Sequence, residues 1–238
     1  MDLDETILDN SKYQAWLIDA GEKFTDATWD AWCEDRDAGA VPGAKSFVRY
    51  ARSLDVAVVF ITSRAEKTRK ATVDNLLKLG VIQEAEQAEY KTSDAQSTLL
   101  FMKGMSAFRD PLQEEKFQQR QHVQSVRGME ILLSVGDNLG DYAAYYKKLV
   151  TGLTLDAEQK YPQRRASATE RRLSADQDAP QWGMDFIVLP NCSYGDWQNA
   201  LSSDLKISAD GSAIDPASDK IIRWRGPMAK KASSKSGT

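Results

Sequence analysis

Val56-Ala57-Val58-Val59-Phe60-Ile61-Thr62-Ser63-Arg64 decides the fold. Its first six residues are apolar, mostly β-branched, and show no polar alternation, the pattern of a strand buried on both faces. The run ends at Thr62-Ser63-Arg64, and a helix is expected from about 66 to 78, stopped by Gly80 as a C-cap. The same rhythm recurs downstream. Strands are expected at 97–102, at Ile131-Leu132-Leu133-Ser134-Val135 and at Phe186-Ile187-Val188-Leu189, with helices at about 112–126 and 139–149 between them. Strands alternating with helices predict a parallel α/β sheet. Such sheets bind ligands at the carboxyl ends of their strands. Thr62 follows one predicted strand, and Asp137 and Asp141 follow another.

Upstream, 10–20 and 26–36 read as short helices carrying Tyr13, Trp16, Trp29 and Trp32, and 44–53 as a helix after the Val41-Pro42-Gly43 break. Residues 156–180 are highly polar, with Arg164, Arg165, Arg171 and Arg172 read as a solvated face. From about 204 the chain turns polar, and its last ten residues read as disordered.

Composition narrows the chemistry. Of 238 residues, 42% are hydrophobic and 28% charged, with a net charge of −4, which suits a soluble globular protein and argues against a nucleic-acid coat. There is one histidine, His122, so paired-histidine phosphoryl chemistry and His-rich zinc centres are excluded. The cysteines, Cys33 and Cys192, could form one disulfide or none. No apolar stretch approaches the ~20 residues of a membrane span, and the start, MDLDETILDN, has neither the basic nor the apolar region of a signal peptide. Catalysis must rest on carboxylates, hydroxyls and amines.

Asp2-Leu3-Asp4-Glu5-Thr6 is a DxDxT pattern that points two carboxylates the same way from an extended segment. Gly136-Asp137-Asn138-Leu139-Gly140-Asp141 adds two more acids. Four acids at one sheet edge call for a divalent cation, and an oxygen-only site suits Mg²⁺. Thr62 offers a hydroxyl, and a lysine between the second and third strands offers positive charge.

The order DxDET, strand-Thr, Lys, GDNxxD resembles the haloacid dehalogenase superfamily of phosphohydrolases. DLDETILDNSKYQAW, AVPGAKSF, ITSR, DNLLKLG, LLSVGDNLGDY and FIVLPNCSYGDW resemble its class C acid phosphatases, bacterial outer-membrane lipoprotein 5′-nucleotidases, over about residues 1–201. The resemblance implies a Rossmann-like fold over 1–203, a small helical cap at about 10–42 and a polar tail at 204–238. It implies Asp2 as nucleophile and Asp4 as general acid and base, with Asp2, the Asp4 backbone carbonyl, Asp137 and Asp141 around Mg²⁺. Thr62 and a lysine would hold the phosphoryl group. The resemblance points to Lys116 rather than Lys103, because Lys116, 21 residues before Asp137 and followed by Arg120 and Val123, is similar to the family's Lys–Arg–Val stretch. Trp29 and Tyr194 would stack against a nucleobase or aromatic leaving group. Ser63 and Cys192 depart from the family pattern, which more often has Asn and Pro there.

The implied partner is a small phosphomonoester, not a nucleic-acid polymer, and the implied location is the periplasm or outer membrane. In the superfamily, DxDxT follows the central strand, and here nothing precedes it but Met1. The expectation is therefore an N-terminally truncated or wrongly started chain, whose natural form adds an upstream strand, an export signal and a lipid anchor. The first reading is an Mg²⁺-dependent phosphomonoesterase. Its rivals are an impaired chain that binds metal or ligand without turnover, and a phosphotransferase using the same site.

Overall fold

The computed structural model describes residues 1–108, 115–142, 179–191 and 194. The Cys192, Arg164–Arg172 and 204–238 readings, and all but the first few residues of the expected 139–149 helix, lie outside the described residues.

Two short antiparallel strands, β1 (Leu8–Asp9) and β2 (Gly39–Ala40), pair at the base of an insert holding α1 (Ser11–Ala20) and α2 (Asp26–Asp35). Thr25 starts α2, its side chain accepting from the Thr28 backbone N–H. Then come α3 (Ala44–Ser53), β3 (Phe60–Ala65), α4 (Arg69–Leu79), α5 (Gln87–Lys91), β4 (Leu100–Lys103), α6 (Glu115–Gln121), β5 (Ser134–Gly136) and β6 (Phe186–Val188). Gly80 ends α4 at φ 65°, a conformation its missing Cβ makes easy. Helix α6 runs on into a π-helical turn, His122–Val126.

The strands are parallel, as the sequence predicts: β3 pairs with β4, and β5 with β6. Side chains alternate across the β3–β4 pair. Phe60, Leu100 and Met102 pack with Val48, Val73 and Leu76 of α3 and α4, while Ile61 and Phe101 pack with Met105, Phe108 and Val123 on the other side. Phe60→Ala is expected to cost about 3–5 kcal/mol in urea unfolding, because the fully buried ring leaves a cavity with rigid walls.

The register between β3 and β4 is irregular. Ile61 faces Phe101 but Ala65 faces Lys103, so Thr62-Ser63-Arg64 lie on a bulged stretch, the kind of place where a strand re-aims its side chains.

The two strand pairs are joined by the first two residues. The Met1 ammonium donates to the Val59 carbonyl (2.8 Å), the Ile61 N–H donates to the Met1 carbonyl (2.9 Å), and the Asp2 N–H donates to the Val135 carbonyl (2.9 Å). Burial pushes the Met1 amine down to about 6. Beside this link, a cavity of about 360 Å³ lies between Val56–Val59 and Ile131–Leu133, with Phe47 and Val123 on its walls.

That cavity explains two corrections. The Val56–Ile61 run is a strand only from Phe60, and the Ile131–Val135 run only from Ser134, because the earlier residues of each line the cavity and pair with no strand among the described residues. Thr62 is inside β3, not just after it, because the strand runs on to Ala65.

Candidate active site

The DxDET segment is a tight turn. The amides of Thr6, Ile7 and Leu8 all donate to the Leu3 carbonyl, and Glu5 takes φ 56°. A non-glycine residue held there costs of order 1–3 kcal/mol. Asn10 offsets it: its backbone N–H donates to Glu5 Oε1 (3.1 Å) and its side-chain amide to Glu5 Oε2 (3.2 Å). The turn directs Asp2 and Asp4 to different neighbours.

Asp2 meets Asp137 and Asp141, and carboxylate oxygens of the three lie within 4.8 Å of one another. Lys116, from the first turn of α6, reaches between them, donating to Asp2 Oδ1 and Asp141 Oδ1, both at 2.7 Å. Asp141 Oδ2 accepts from the Asn138 N–H (2.9 Å), and Asp137 Oδ2 accepts from Asn191 Nδ2 (2.8 Å). Gly136 makes this packing feasible, since a Cβ there would stand 2.7 Å from Asp141 Cγ. Gly136→Ala is therefore expected to push Asp141 off Lys116 and weaken divalent-metal binding at least tenfold, read by calorimetric titration.

Charge in the cluster is unbalanced. Burial, with Asp141 and Asp137 adding to it, holds the Asp2 carboxyl well above the usual range despite Lys116. Burial raises Asp137 as well. Lys116 is driven the other way: burial disfavours its charge, but Asp2 and Asp141 outweigh burial and keep it an ammonium. Three carboxyl groups set around one lysine among the described residues form an all-oxygen donor set, and a set of this kind fits a divalent cation.

Asp4 points elsewhere. Its Oδ1 accepts from Arg64 Nε (2.9 Å), Arg64 Nη2 (2.7 Å) and Asn10 Nδ2 (3.0 Å), while Thr62 Oγ1 donates to Oδ2 (3.4 Å). The Asp4 carboxylate thus stands outside the Asp2–Asp137–Asp141 group. Trp29 is half-buried, edge-on to Tyr13 (5.1 Å between centroids), with the Arg64 guanidinium 5.7 Å from its ring. The Tyr194 hydroxyl donates to Glu5 Oε2, tying the segment after β6 to the DxDET turn. Burial pushes Glu5 up to about 7.

The structure thus gathers Asp2, Lys116, Asp137 and Asp141 in one cluster and Asp4 with Thr62 in an adjoining one. Lys103 is exposed at the end of β4, and the His122 ring lies by the Ala95 carbonyl, Nε2 to O 3.0 Å. Cys33 is a buried free thiol. Sequence reasoning missed Arg64, Asn10 and Glu5. The signal for Arg64 was its i, i+2 spacing from Thr62, which puts both on one face of a strand.

No helix among the described residues is long and apolar enough to cross a membrane. The sequence is 33% identical over 79 residues to acid phosphatase 1 of Solanum lycopersicum, a match that spans 33% of this chain and only 31% of that relative. The fold is similar to the class C acid phosphatase of Bacillus anthracis, with TM-score 0.61 and 28% identity over 84% of this chain and 68% of that one. The Bacillus anthracis protein solved with tungstate bound gives TM-score 0.61 and 29% identity over the same shares. Residues 1–197 match the family profile of the HAD superfamily, subfamily IIIB (acid phosphatase), and the chain belongs to that family.

Proposed function

We propose that the protein is an Mg²⁺-dependent phosphomonoesterase acting on nucleoside 5′-monophosphates or similar small esters, with Asp2 as nucleophile. The observation that carries this reading is the Lys116 ammonium held 2.7 Å from both Asp2 and Asp141, whose carboxylates group with that of Asp137. An uncompensated acidic pocket would repel a phosphate, and Lys116 supplies the attraction. Tungstate, a tetrahedral oxyanion like phosphate, is bound in a structural relative, which supports an oxyanion subsite here.

The chemistry runs in two halves. An Asp2 carboxylate oxygen attacks phosphorus, the phosphorus–ester oxygen bond breaks, and Asp4 gives its proton to the departing alkoxide. Asp4 then takes a proton from water as the water oxygen attacks phosphorus and the Asp2–phosphorus bond breaks. Thr62 donates to a phosphoryl oxygen, and Lys116 balances the charge that builds on the transferring group. Asp2, Asp137, Asp141 and the Asp4 backbone carbonyl would hold Mg²⁺, which when bound supplies positive charge to the phosphoryl oxygens. Trp29 and Tyr194 border the leaving-group side. The resemblance favours a place in the bacterial envelope, which cell fractionation tests.

Phosphate release from a nucleoside 5′-monophosphate, with Mg²⁺ and with EDTA, is the direct test. Release that disappears in EDTA and returns with Mg²⁺ supports the reading. Soluble folded protein that binds Mg²⁺ or tungstate, as a rise in Tm, but releases nothing would make it a binder instead. A new phosphoester formed on an added acceptor nucleoside would make it a transferase.

A further inference from the structure

Arg64 is fully buried and charged, and its Nη1 has no hydrogen-bond partner among the described residues. Stability alone does not account for such a group, because a buried guanidinium is costly and an apolar side chain would fill β3 more cheaply. Its contacts show what it does. Nε and Nη2 both bind Asp4 Oδ1, at 2.9 and 2.7 Å, and Asn10 Nδ2 adds a third donor to the same oxygen. Among the described residues Oδ2 receives only longer contacts, 3.4 Å from Thr62 Oγ1 and 3.3 Å from Arg64 Nε. One oxygen of Asp4 is saturated and the other is left lightly held. The arrangement extends into the insert: Arg64 Nη2 donates to Asn10 Oδ1 (3.2 Å), and the Trp32 indole of α2 donates to that same oxygen (2.8 Å).

We propose that Arg64 is the positioning residue for Asp4. It anchors Oδ1 so that Oδ2 alone passes the proton to the leaving group, and Trp32 steadies the anchor through Asn10. This rests on the phosphomonoesterase reading with Asp4 as acid and base. In the first half-reaction the Oδ2–H bond breaks and its proton goes to the ester oxygen, which keeps the electron pair of the broken P–O bond. In the second half-reaction Oδ2 takes the proton that water loses. A carboxylate free to turn would present either oxygen at the wrong angle for much of the time.

Leaving-group dependence tests this. p-Nitrophenolate departs without a proton, whereas an alkoxide needs one. Arg64→Gln is expected to lower kcat for a nucleoside 5′-monophosphate by about 100-fold. It should also widen the ratio of p-nitrophenyl to nucleotide turnover by about tenfold, in the direction given by Asp4→Asn. Arg64→Lys, keeping one charged donor, should recover part of that ratio. Equal losses on both substrates with Tm intact would overturn the proposal. If Arg64→Gln does not fold, Trp32→Phe, which keeps an aromatic ring and removes the donor, should move the ratio the same way several-fold in protein that still melts cooperatively, and an unmoved ratio would overturn it. A wild-type protein that releases no phosphate from either substrate defeats the function reading and this one with it. An active wild type with an unmoved ratio defeats this one alone.

Discussion

Asp2→Asn is expected to remove phosphate release by at least about 10⁴-fold while leaving the fold at least as stable as the parent near neutral pH. The loss follows from the amide, which cannot attack phosphorus as a carboxylate does. The retained stability follows from the charge imbalance. Burial, together with Asp141 and Asp137, holds the Asp2 carboxyl well above its ordinary range. A carboxyl raised in the folded state stabilises it at low pH, and that contribution is lost as pH rises from the unfolded value through the raised one. In EDTA the parent's urea midpoint should therefore decline as pH climbs out of the usual carboxylate range, and D2N should flatten that decline. A variant that keeps turnover would remove Asp2 from the nucleophile's place. One that is sharply less stable at pH 7 would mean that the pairing with Lys116 outweighs burial and repulsion.

Lys116→Met should be damaging in both respects. It leaves Asp2 and Asp141, both deeply set, without their shared cation at 2.7 Å. Breaking a buried pair from one side costs about 3–5 kcal/mol, so the unfolding midpoint in EDTA should fall accordingly. Turnover should drop about 10²–10³-fold, because the charge that meets the transferring group in the proposed mechanism is gone. Mg²⁺ should recover much of the stability of K116M but little of its turnover, since a metal between the carboxylates replaces the lysine's charge and not its place beside the phosphoryl oxygens. Thermal melts and phosphate assays, each with and without Mg²⁺, separate the two effects. An unchanged melt in EDTA would show the lysine to be solvated rather than integral.

Much of the fold was legible because its signals are local. Helix α3 matches the expected 44–53, since Gly43 and the spacing of Phe47, Val48 and Ala51 are readable without tertiary context. Gly80 was identifiable as a cap for the same reason. The parallel pairing followed from runs apolar on both faces. The strand starts did not, because Val56–Val59 have the composition of a strand but lack a ladder partner among the described residues. Asp2, Lys116, Asp137 and Asp141 could be proposed together because each follows a strand or carries a motif spacing. Asn10 could not, because its meaning lies in a contact across 54 residues, and the spacing of Arg64 from Thr62 gave it a face but not that partner. Trp29 reads in sequence as a stacking platform. In the structure its ring already has Tyr13 at its edge and Arg64 nearby, which narrows how a base could approach.

The link through Met1 and Asp2 has a mechanical consequence. Thr62 and Arg64 ride on the β3–β4 pair, Asp137 and Asp141 follow β5 of the other pair, and Asp2, the proposed nucleophile, is itself part of the seam between them. Prying the pairs apart therefore separates the hydroxyl from the acidic cluster while the core around β3 and β4 is still intact. Turnover becomes a gauge of seam closure, more sensitive than bulk unfolding. Mild heat or low urea should extinguish activity ahead of the main transition, and an extended apolar segment lodged beside Val56–Val59 should bring the two events back together.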